Sequence, residues 1–439
     1  MEAMIVRTEK LVFGGECLAH ANGKKLFVPF ALPNELLEVA VVKSYRDYDK
    51  ARIVRVLEPS AHRITPACPL YGQCGGCNMQ HADAAYQREL RAALLADGLL
   101  REGVPLPASG VRCLSGDDFG YRARIQLHDG SFYARESNDS VSLTHCPVAT
   151  AELNAYLSAV PQKQRPRGRV QLFGDARVVT AGGKAVAANE SGARGQLPYD
   201  ALSHIVLERQ EEARNAAPLI IGGGKRAIKS KCKKRFSGTV ASEAHRCTVS
   251  LAGKQLAFDV RGFFQSNLQL LEKAIGLVCG DLHGAHALDM YSGVGTFAAF
   301  LVERFAHVTL VEHNRDALVF AAQNLASSAL NAASRYESYG VTGTRWVAEN
   351  AAECVRRHGA FDACVIDPPR SGMEKAVRDW LCAAKIPQLR LVSCDGATQA
   401  RDIAALVAAG YRLTALYLLD FYPQTSHVES LAYLEYAYE

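Results

Sequence analysis

Three short segments late in the chain each set a reactive side chain at or near the end of an apolar run. Val365-Ile366-Asp367-Pro368-Pro369-Arg370 carries a carboxylate, Leu391-Val392-Ser393-Cys394-Asp395 a thiol, and His427-Val428-Glu429-Ser430 a second carboxylate. Open parallel sheets form their ligand crevices at the carboxyl ends of strands, so the three groups are expected to converge on one edge. Free cysteine is among the most buried residue types, and Cys279, Cys354, Cys364 and Cys382 read as core residues. Cys394 differs in standing at a strand end, between Ser393 and Asp395 and ahead of a helix. That is where a nucleophile is placed, with a carboxylate near enough to act as general base. The plainer alternatives are a helix cap for Asp367 and a surface carboxylate for Glu429.

Upstream, Ala287-Leu288-Asp289-Met290-Tyr291-Ser292-Gly293-Val294-Gly295-Thr296-Phe297 reads as a strand, a glycine turn and a helix. Glycine lets a ligand approach the backbone closely. Glu312 closes the next strand, where a carboxylate can accept both ribose hydroxyls of a nucleoside. A nicotinamide dinucleotide and S-adenosylmethionine both suit this geometry. The third glycine of the dinucleotide fingerprint is missing, and a thiol with two carboxylates has no part in hydride transfer, so the methyl donor is the expected ligand.

The chain has thirteen cysteines, which in a reducing compartment read as core residues, metal ligands or nucleophiles according to spacing. Cys68, Cys74, Cys77 and the distant Cys146 supply four thiolates around a tight Gly75-Gly76 turn, enough for a 4Fe-4S cluster or a tetrahedral zinc. Structural zinc usually takes two short-spaced pairs, whereas three clustered cysteines and a remote one are a common cluster layout. His81 and His145 are bystanders on this reading, because the cysteines already make a set of four.

The elements that must position these groups fall into three regions. At 439 residues the chain exceeds one hydrophobic core. Residues 1–57 alternate apolar and polar positions in short runs, as a small OB-like β-barrel does. Residues 58–250 have an irregular α+β texture and include the cysteine set. Within them, residues 225–235 hold seven Lys or Arg and no acid, either a solvated charged loop or a patch for nucleic-acid phosphates. Residues 251–439 follow a regular α/β rhythm, with strands expected at 286–291, 307–312, 344–348, 362–366, 389–394, 411–419 and 431–438. That is a doubly wound, mostly parallel sheet, and the short link before the final strand makes that strand antiparallel. Hydrophobic residues are 49% of the chain, charged residues 22%, and the net charge is +5, which is ordinary globular composition that permits an anionic partner. No stretch approaches membrane-spanning or signal-peptide length. The expectation is a cytoplasmic protein that needs no membrane, and a monomer, since no heptad seam is apparent.

These motifs together resemble the RNA uracil-5-methyltransferases, in particular the iron-sulfur ribosomal RNA branch. The resemblance rests on the N-terminal barrel, which looks like a TRAM domain; on the cysteine set and Phe263-Phe264-Gln265-Ser266-Asn267; and on the Gly293 turn, Asp367-Pro368-Pro369-Arg370, Ser393-Cys394 and His427-Val428-Glu429-Ser430. It implies that Cys394 adds to carbon 6 of a uridine and that Glu429 removes the carbon-5 proton. Asp367 would hold the edge of the base. The resemblance also implies that Gln265, Tyr291, Gly293, Thr296, Glu312, Asn350 and Asp367 line the S-adenosylmethionine pocket. The 4Fe-4S cluster is favoured over zinc on Cys68, Cys74, Cys77 and Cys146, with 23S ribosomal RNA as partner and transfer RNA as the alternative. A rival of another class is a silent RNA-binding protein that keeps the fold, although it would be free to lose the reactive residues present here.

One departure stands out. The family usually follows its nucleophile with Asn-Pro, and this chain has Asp395-Gly396. A carboxylate beside Cys394 would raise the thiol pKa unless Asp395 turns away or pairs with Arg401.

Overall fold

The computed structural model describes residues 3–181, 205–210, 246–328 and 335–436. The basic run 225–235 lies outside the described residues, as does nearly all of the Gly/Ala-rich stretch 181–195.

Strands β1 (Ala3–Leu11), β2 (Glu16–Ala21), β3 (Lys24–Pro29), β4 (Leu36–Ser44) and β5 (Tyr48–Glu58) close into a barrel in the order β1-β2-β3-β5-β4. Alternation is the cause: Cys17 and Ala19, Leu26 and Val28, and Leu37 and Val39 all point inward and are buried. Asn22 and Gly23 both take positive φ between β2 and β3, the two-residue turn whose twist matches a hairpin.

Helix α1 (Ala84–Arg101) starts at Asp83, whose side chain accepts from the Tyr86 N–H. It is followed by β6 (Val111–Leu114), β7 (Arg124–His128), β8 (Phe132–Tyr133), β9 (Ser140–Val141), α2 (Ala151–Ala159), β10 (Arg169–Gly174), β11 (Val178–Ala181), β12 (Ile205–Gln210), β13 (Arg246–Leu251) and β14 (Lys254–Asp259). Two three-stranded sheets, β12-β10-β7 and β11-β13-β14, and the β8-β9 pair make up this region. β6 instead joins the large sheet beyond it.

That sheet has eight strands: β15 (Gly284–Met290), β16 (Phe305–Val311), β17 (Tyr336–Tyr339), β18 (Ala363–Ile366), β19 (Gln388–Ser393), β20 (Tyr411–Leu419), β21 (Glu429–Tyr436) and β6. The order is β17-β16-β15-β18-β19-β21-β20-β6. β15 to β19 run parallel, and β21 is antiparallel to both β19 and β20, as its short link required. The helices are α3 (Leu268–Cys279), α4 (Ala298–Leu301), α5 (Arg315–Ala326), α6 (Gly343–Glu349), α7 (Ala351–His358), α8 (Lys375–Ala384) and α9 (Gly396–Ala408).

The strand expected at residues 344–348 is a helix, α6. Thr342 caps it by accepting from the Arg345 N–H, and the buried Trp346 fills the space beneath it. The sheet edge is taken by β17, eight residues earlier in sequence. A short apolar run cannot distinguish a buried helix turn from a strand by period alone.

One apolar cluster is continuous from the barrel, through Met79, Ala82, Leu90 and Leu94, to Ile366, Leu391 and Leu418 of the large sheet. The barrel is thus packed into the body of the protein. Its β1–β2 turn reaches α9, where a Cβ on Gly396 would lie 2.9 Å from the Phe13 ring. Overpacking of this kind costs about 1–3 kcal/mol, whereas an unobstructed Gly→Ala change near a helix start gains helix propensity. Gly396→Ala should therefore lower the thermal midpoint, and the loss should shrink in a Phe13→Ala background. A rise in the midpoint of the single variant would show that Phe13 does not press on this turn.

Candidate active site

The sheet register brings the three reactive groups together. Asp367 follows β18 and Cys394 follows β19, its parallel neighbour. β21 then pairs with β19 so that Ser393 faces Ser430. Glu429, one residue before Ser430, is thereby set across from Cys394. Ser430 is fully buried and its hydroxyl donates to Gln399 Oε1 at 2.6 Å, which fastens the start of β21 to α9.

Burial governs the electrostatics. It pushes the Cys394 thiol up to about 11, with the Glu429 and Asp367 carboxylates adding to the rise and the Arg370 guanidinium opposing it. Glu429 is 7% exposed, and burial with the Asp367 charge raises it to about 8, again against Arg370. Burial raises Asp367 to about 7. Two acids and a thiol thus sit in a desolvated site where the carboxylates disfavour the thiolate and Asp367 disfavours the Glu429 charge. Arg370 is the cation that counters this, a role its place in the Asp-Pro-Pro-Arg motif did not reveal.

Asp395 is taken up by the helix that follows it. Its carboxylate caps α9, accepting from the Thr398 N–H at 2.9 Å and from the Thr398 hydroxyl at 3.1 Å. Arg401 does not pair with it, being held by Asp402 at 2.7 Å. A cap is the ordinary use of an aspartate just before a helix, and it resolves the concern raised by the departure from Asn-Pro.

At the glycine turn, the Glu312 carboxylate accepts from the Gly293 N–H at 3.0 Å and the Asn314 N–H at 2.7 Å. Gly293 and Gly295 have φ of +55° and +72°, and a Cβ on Gly295 would press on Ala321 at 3.0 Å. Tyr291 ends its strand at φ +65°, and its hydroxyl accepts from the Glu374 N–H. Thr296 is half-buried in the turn. Gln265 Oε1 is buried without a partner, in a segment anchored by the stack of Phe264 on Phe258 and by Asn267, which caps α3 and donates to the Phe421 carbonyl. Asn350 stands at the junction of α6 and α7, one helix beyond the turn that faces Tyr291.

Asp289 escaped the sequence reading. It is fully buried; one carboxyl oxygen accepts from the Ala298 N–H and the other has no partner. Burial raises it to about 8, against the Ala298 bond and with Asp367 and Glu312 adding to the rise. An acid inside the apolar run Ala287-Leu288-Asp289-Met290 was the available signal. The orphaned oxygens of Asp289 and Gln265 are buried acceptors without a partner in the protein, the kind a ligand donor satisfies.

The four cysteines also come together. Burial raises the thiols of Cys74, Cys77 and Cys146, and each feels the charge of others in the set. The loop is held by the Gly75 N–H on the Tyr133 carbonyl and the Cys146 N–H on Asn154 Oδ1. Arg122 lowers three of these thiols and stands 6.0 Å over the Tyr422 ring. Among the described residues, no three of the four sulfurs lie within 4.8 Å of one another.

The described residues that do meet that limit are His307, Glu337 and His358. They lie near the opposite end of the sheet strands. The two rings stack in parallel at 3.7 Å, so their in-plane lone pairs do not converge, and Glu337 already accepts from Arg357 at 2.7 Å. Burial and the His358 and His286 rings push His307 down to about 4. This is a packing cluster beside the Arg357–Glu337 ion pair.

Residues 239–437 match the family model described as tRNA (uracil-5-)-methyltransferase. An uncharacterized RNA methyltransferase of Treponema denticola is 32% identical, over 98% of this chain and 98% of its own length. The 23S rRNA (uracil(1939)-C(5))-methyltransferase RlmD of Pseudomonas putida is 30% identical, over 97% of this chain and 92% of its own. Pyrococcus abyssi tRNA (uracil-54, C5)-methyltransferase, solved with S-adenosyl-L-homocysteine, shares the fold at a TM-score of 0.63 and 21% identity, covering 98% of this chain and 100% of that one. The chain belongs to the RNA uracil-5-methyltransferase family. It is an enzyme of that class, with S-adenosylmethionine as methyl donor.

Reactivity of Cys394 tests the electrostatics. Alkylation of its peptide by iodoacetamide should slow in Arg370→Gln by roughly 3- to 10-fold at a given pH, since a lost neighbouring cation shifts a pKa by about half a unit or more. Asp395→Asn should leave the pH profile unchanged. A profile moved to lower pH would mean that Asp395 faces the thiol after all.

Proposed function

We propose that the protein methylates carbon 5 of a uridine in 23S ribosomal RNA through a covalent bond between Cys394 and carbon 6. The observation that carries this reading is the placing of Cys394 and Glu429 at the facing end of the antiparallel β19–β21 ladder, where the Glu429 and Asp367 carboxylates both act on the thiol. Support for the substrate comes from relatives such as RlmD of Pseudomonas putida, which span nearly the whole chain.

Carbon 5 of uracil is a weak nucleophile. Addition of the Cys394 thiolate to carbon 6 places an electron pair on carbon 5. When bound, S-adenosylmethionine would supply an electrophilic methyl group; carbon 5 takes it as the sulfur–methyl bond breaks and S-adenosylhomocysteine leaves. Glu429 then takes the carbon-5 proton, the double bond re-forms, and the thiolate leaves carbon 6. Asp367 accepts from the N3–H of the base. Gln265, Tyr291, Gly293, Thr296, Glu312 and Asn350 hold the donor, with Glu312 on the ribose hydroxyls.

The raised acids set the pH dependence. Glu429 near 8 is mostly protonated at neutral pH. In that form it does not repel the thiolate, but it must ionise to accept a proton. Turnover should therefore climb as pH rises from about 6 to about 9, because both the base and the nucleophile gain their active forms. A rate that is flat or falling across that range would remove Glu429 from the role of base.

The reading extends to a 4Fe-4S cluster on Cys68, Cys74, Cys77 and Cys146, seated by the Gly75-Gly76 turn. The desolvated thiols of Cys74, Cys77 and Cys146 beside one guanidinium suit an anionic cluster, with Cys68 as the fourth ligand. Their spread exceeds the sulfur separation of about 3.8 Å implied by the Zn–S bond length of tetrahedral zinc. When bound, the cluster supplies a crosslink between the Cys68–Cys77 loop and Cys146. Removal of iron should weaken RNA binding more than binding of S-adenosylmethionine, and equal loss of both would count against that part.

Labelled methyl transfer to unmodified 23S ribosomal RNA and to unmodified transfer RNA tests the whole. 5-Methyluridine should form in the ribosomal RNA, and Cys394→Ala should abolish the adduct with 5-fluorouridine RNA. Label confined to transfer RNA would reassign the substrate. No label in either, with fold and iron intact, would favour a silent RNA-binding protein.

A further inference from the structure

Glu429 follows a loop, residues 420–428, gripped by the barrel turn, the cysteine loop, α1, Tyr121 and Asn267. Asn78, one residue past Cys77, meets this loop with both ends of its amide. Its Oδ1 accepts from the Ser426 N–H at 2.8 Å and its Nδ2 donates to Ser426 Oγ at 2.9 Å. The same Nδ2 reaches the carbonyl of Gly14 in the barrel turn at 3.2 Å. The backbone N–H groups of Asn78 and Met79 both donate to the Gln424 carbonyl, at 3.2 and 3.0 Å.

The barrel closes the junction from its other side. A Cβ on Gly15 would fall 2.5 Å from Asn78 Nδ2 and 2.7 Å from Ser426 Cβ, and Gly15 has φ +84°. Only glycine allows so close an approach in that conformation. The same β1–β2 turn carries Phe13 against Gly396, two residues after Cys394. One barrel turn therefore abuts the flanks of both the nucleophile and the base.

We propose that Asn78 is a positioning residue for Glu429: it locks Ser426 to the barrel turn and to the cysteine loop, and so holds the carboxyl where it can take the carbon-5 proton. This rests on the reading of Glu429 as the base. Proton transfer needs hydrogen-bond reach, and a misplacement of about 1 Å can cost on the order of 100-fold. Loss of the amide should affect the last chemical step while leaving thiolate addition and methyl transfer in place.

The test compares full-length, iron-loaded wild type with Asn78→Ala, Asn78→Asp, Gly15→Ala and Glu429→Gln on ordinary uridine RNA. Denaturation-resistant complexes of enzyme and methylated RNA are counted, with turnover measured alongside. Asn78→Ala should lose about tenfold or more in turnover and accumulate the methylated covalent complex, as Glu429→Gln should. Asn78→Asp keeps the acceptor for the Ser426 N–H but loses the donor to the Gly14 carbonyl, and should recover only part of the rate. Gly15→Ala presses on Asn78 and Ser426 from the barrel side while leaving the sequence of the cysteine loop unchanged, and should trap the complex even if Asn78→Ala folds poorly. If Glu429→Gln traps the complex and neither Asn78→Ala nor Gly15→Ala does, the positioning role is wrong. If Glu429→Gln traps nothing, the assignment of the base is at fault instead.

Discussion

A buried ion pair anchors the loop on which this site depends. Arg91 of α1 and Asp420, which opens the loop between β20 and β21, are each 1% exposed and meet at 2.7 Å. Breaking such a pair by removing one partner typically costs about 3–5 kcal/mol, because the other charge is left buried. Arg88 adds a second contact to Asp420 at 3.5 Å. Beyond the pair, Gln87 and Gln424 exchange bonds: the Gln424 N–H donates to Gln87 Oε1 and Gln87 Nε2 donates to Gln424 Oε1, each at 2.9 Å. Tyr121 donates to the Pro423 carbonyl. A loop held this way cannot relax, and Glu429 inherits its position from it.

This anchoring explains why the chain cannot be cut cleanly into an RNA-binding front and a catalytic back. α1 packs on α9, and β6 extends the catalytic sheet next to β20. Arg122 gives its backbone to Val148 and Thr150 beside Cys146, its neighbour Ala123 bonds the Ser266 carbonyl, and its guanidinium faces Tyr422. The cysteine set, the segment around Ser266 and the 420–428 loop are linked by short runs of contacts.

The ionisable groups at these strand ends are tuned by desolvation more than by specific partners. For Cys394, Glu429, Asp367 and Asp289, burial is the leading cause of the upward shift. A site that excludes water can make a thiolate more reactive once substrate covers it, but it needs a cation to keep ionisation within reach. Arg370 supplies that cation from the edge of the site.

Much of this was legible in the residues alone. Alternation marked the barrel, the α/β rhythm marked the large sheet, and the short final link marked the antiparallel last strand, because each is a repeating pattern set by backbone geometry. Cys394, Glu429 and Asp367 were visible because strand ends are where such sheets keep their chemistry. The helix at 343–349, the buried acid Asp289, the cation Arg370 and the capping role of Asp395 were not. Each depends on what packs against it: Trp346 on a filled core, Asp289 on an enclosing strand end, Asp395 on the helix it starts. Asn78 and Gln87 meet the base loop across more than three hundred residues of chain. No local pattern encodes such pairings; only the folded chain brings the amides to the loop.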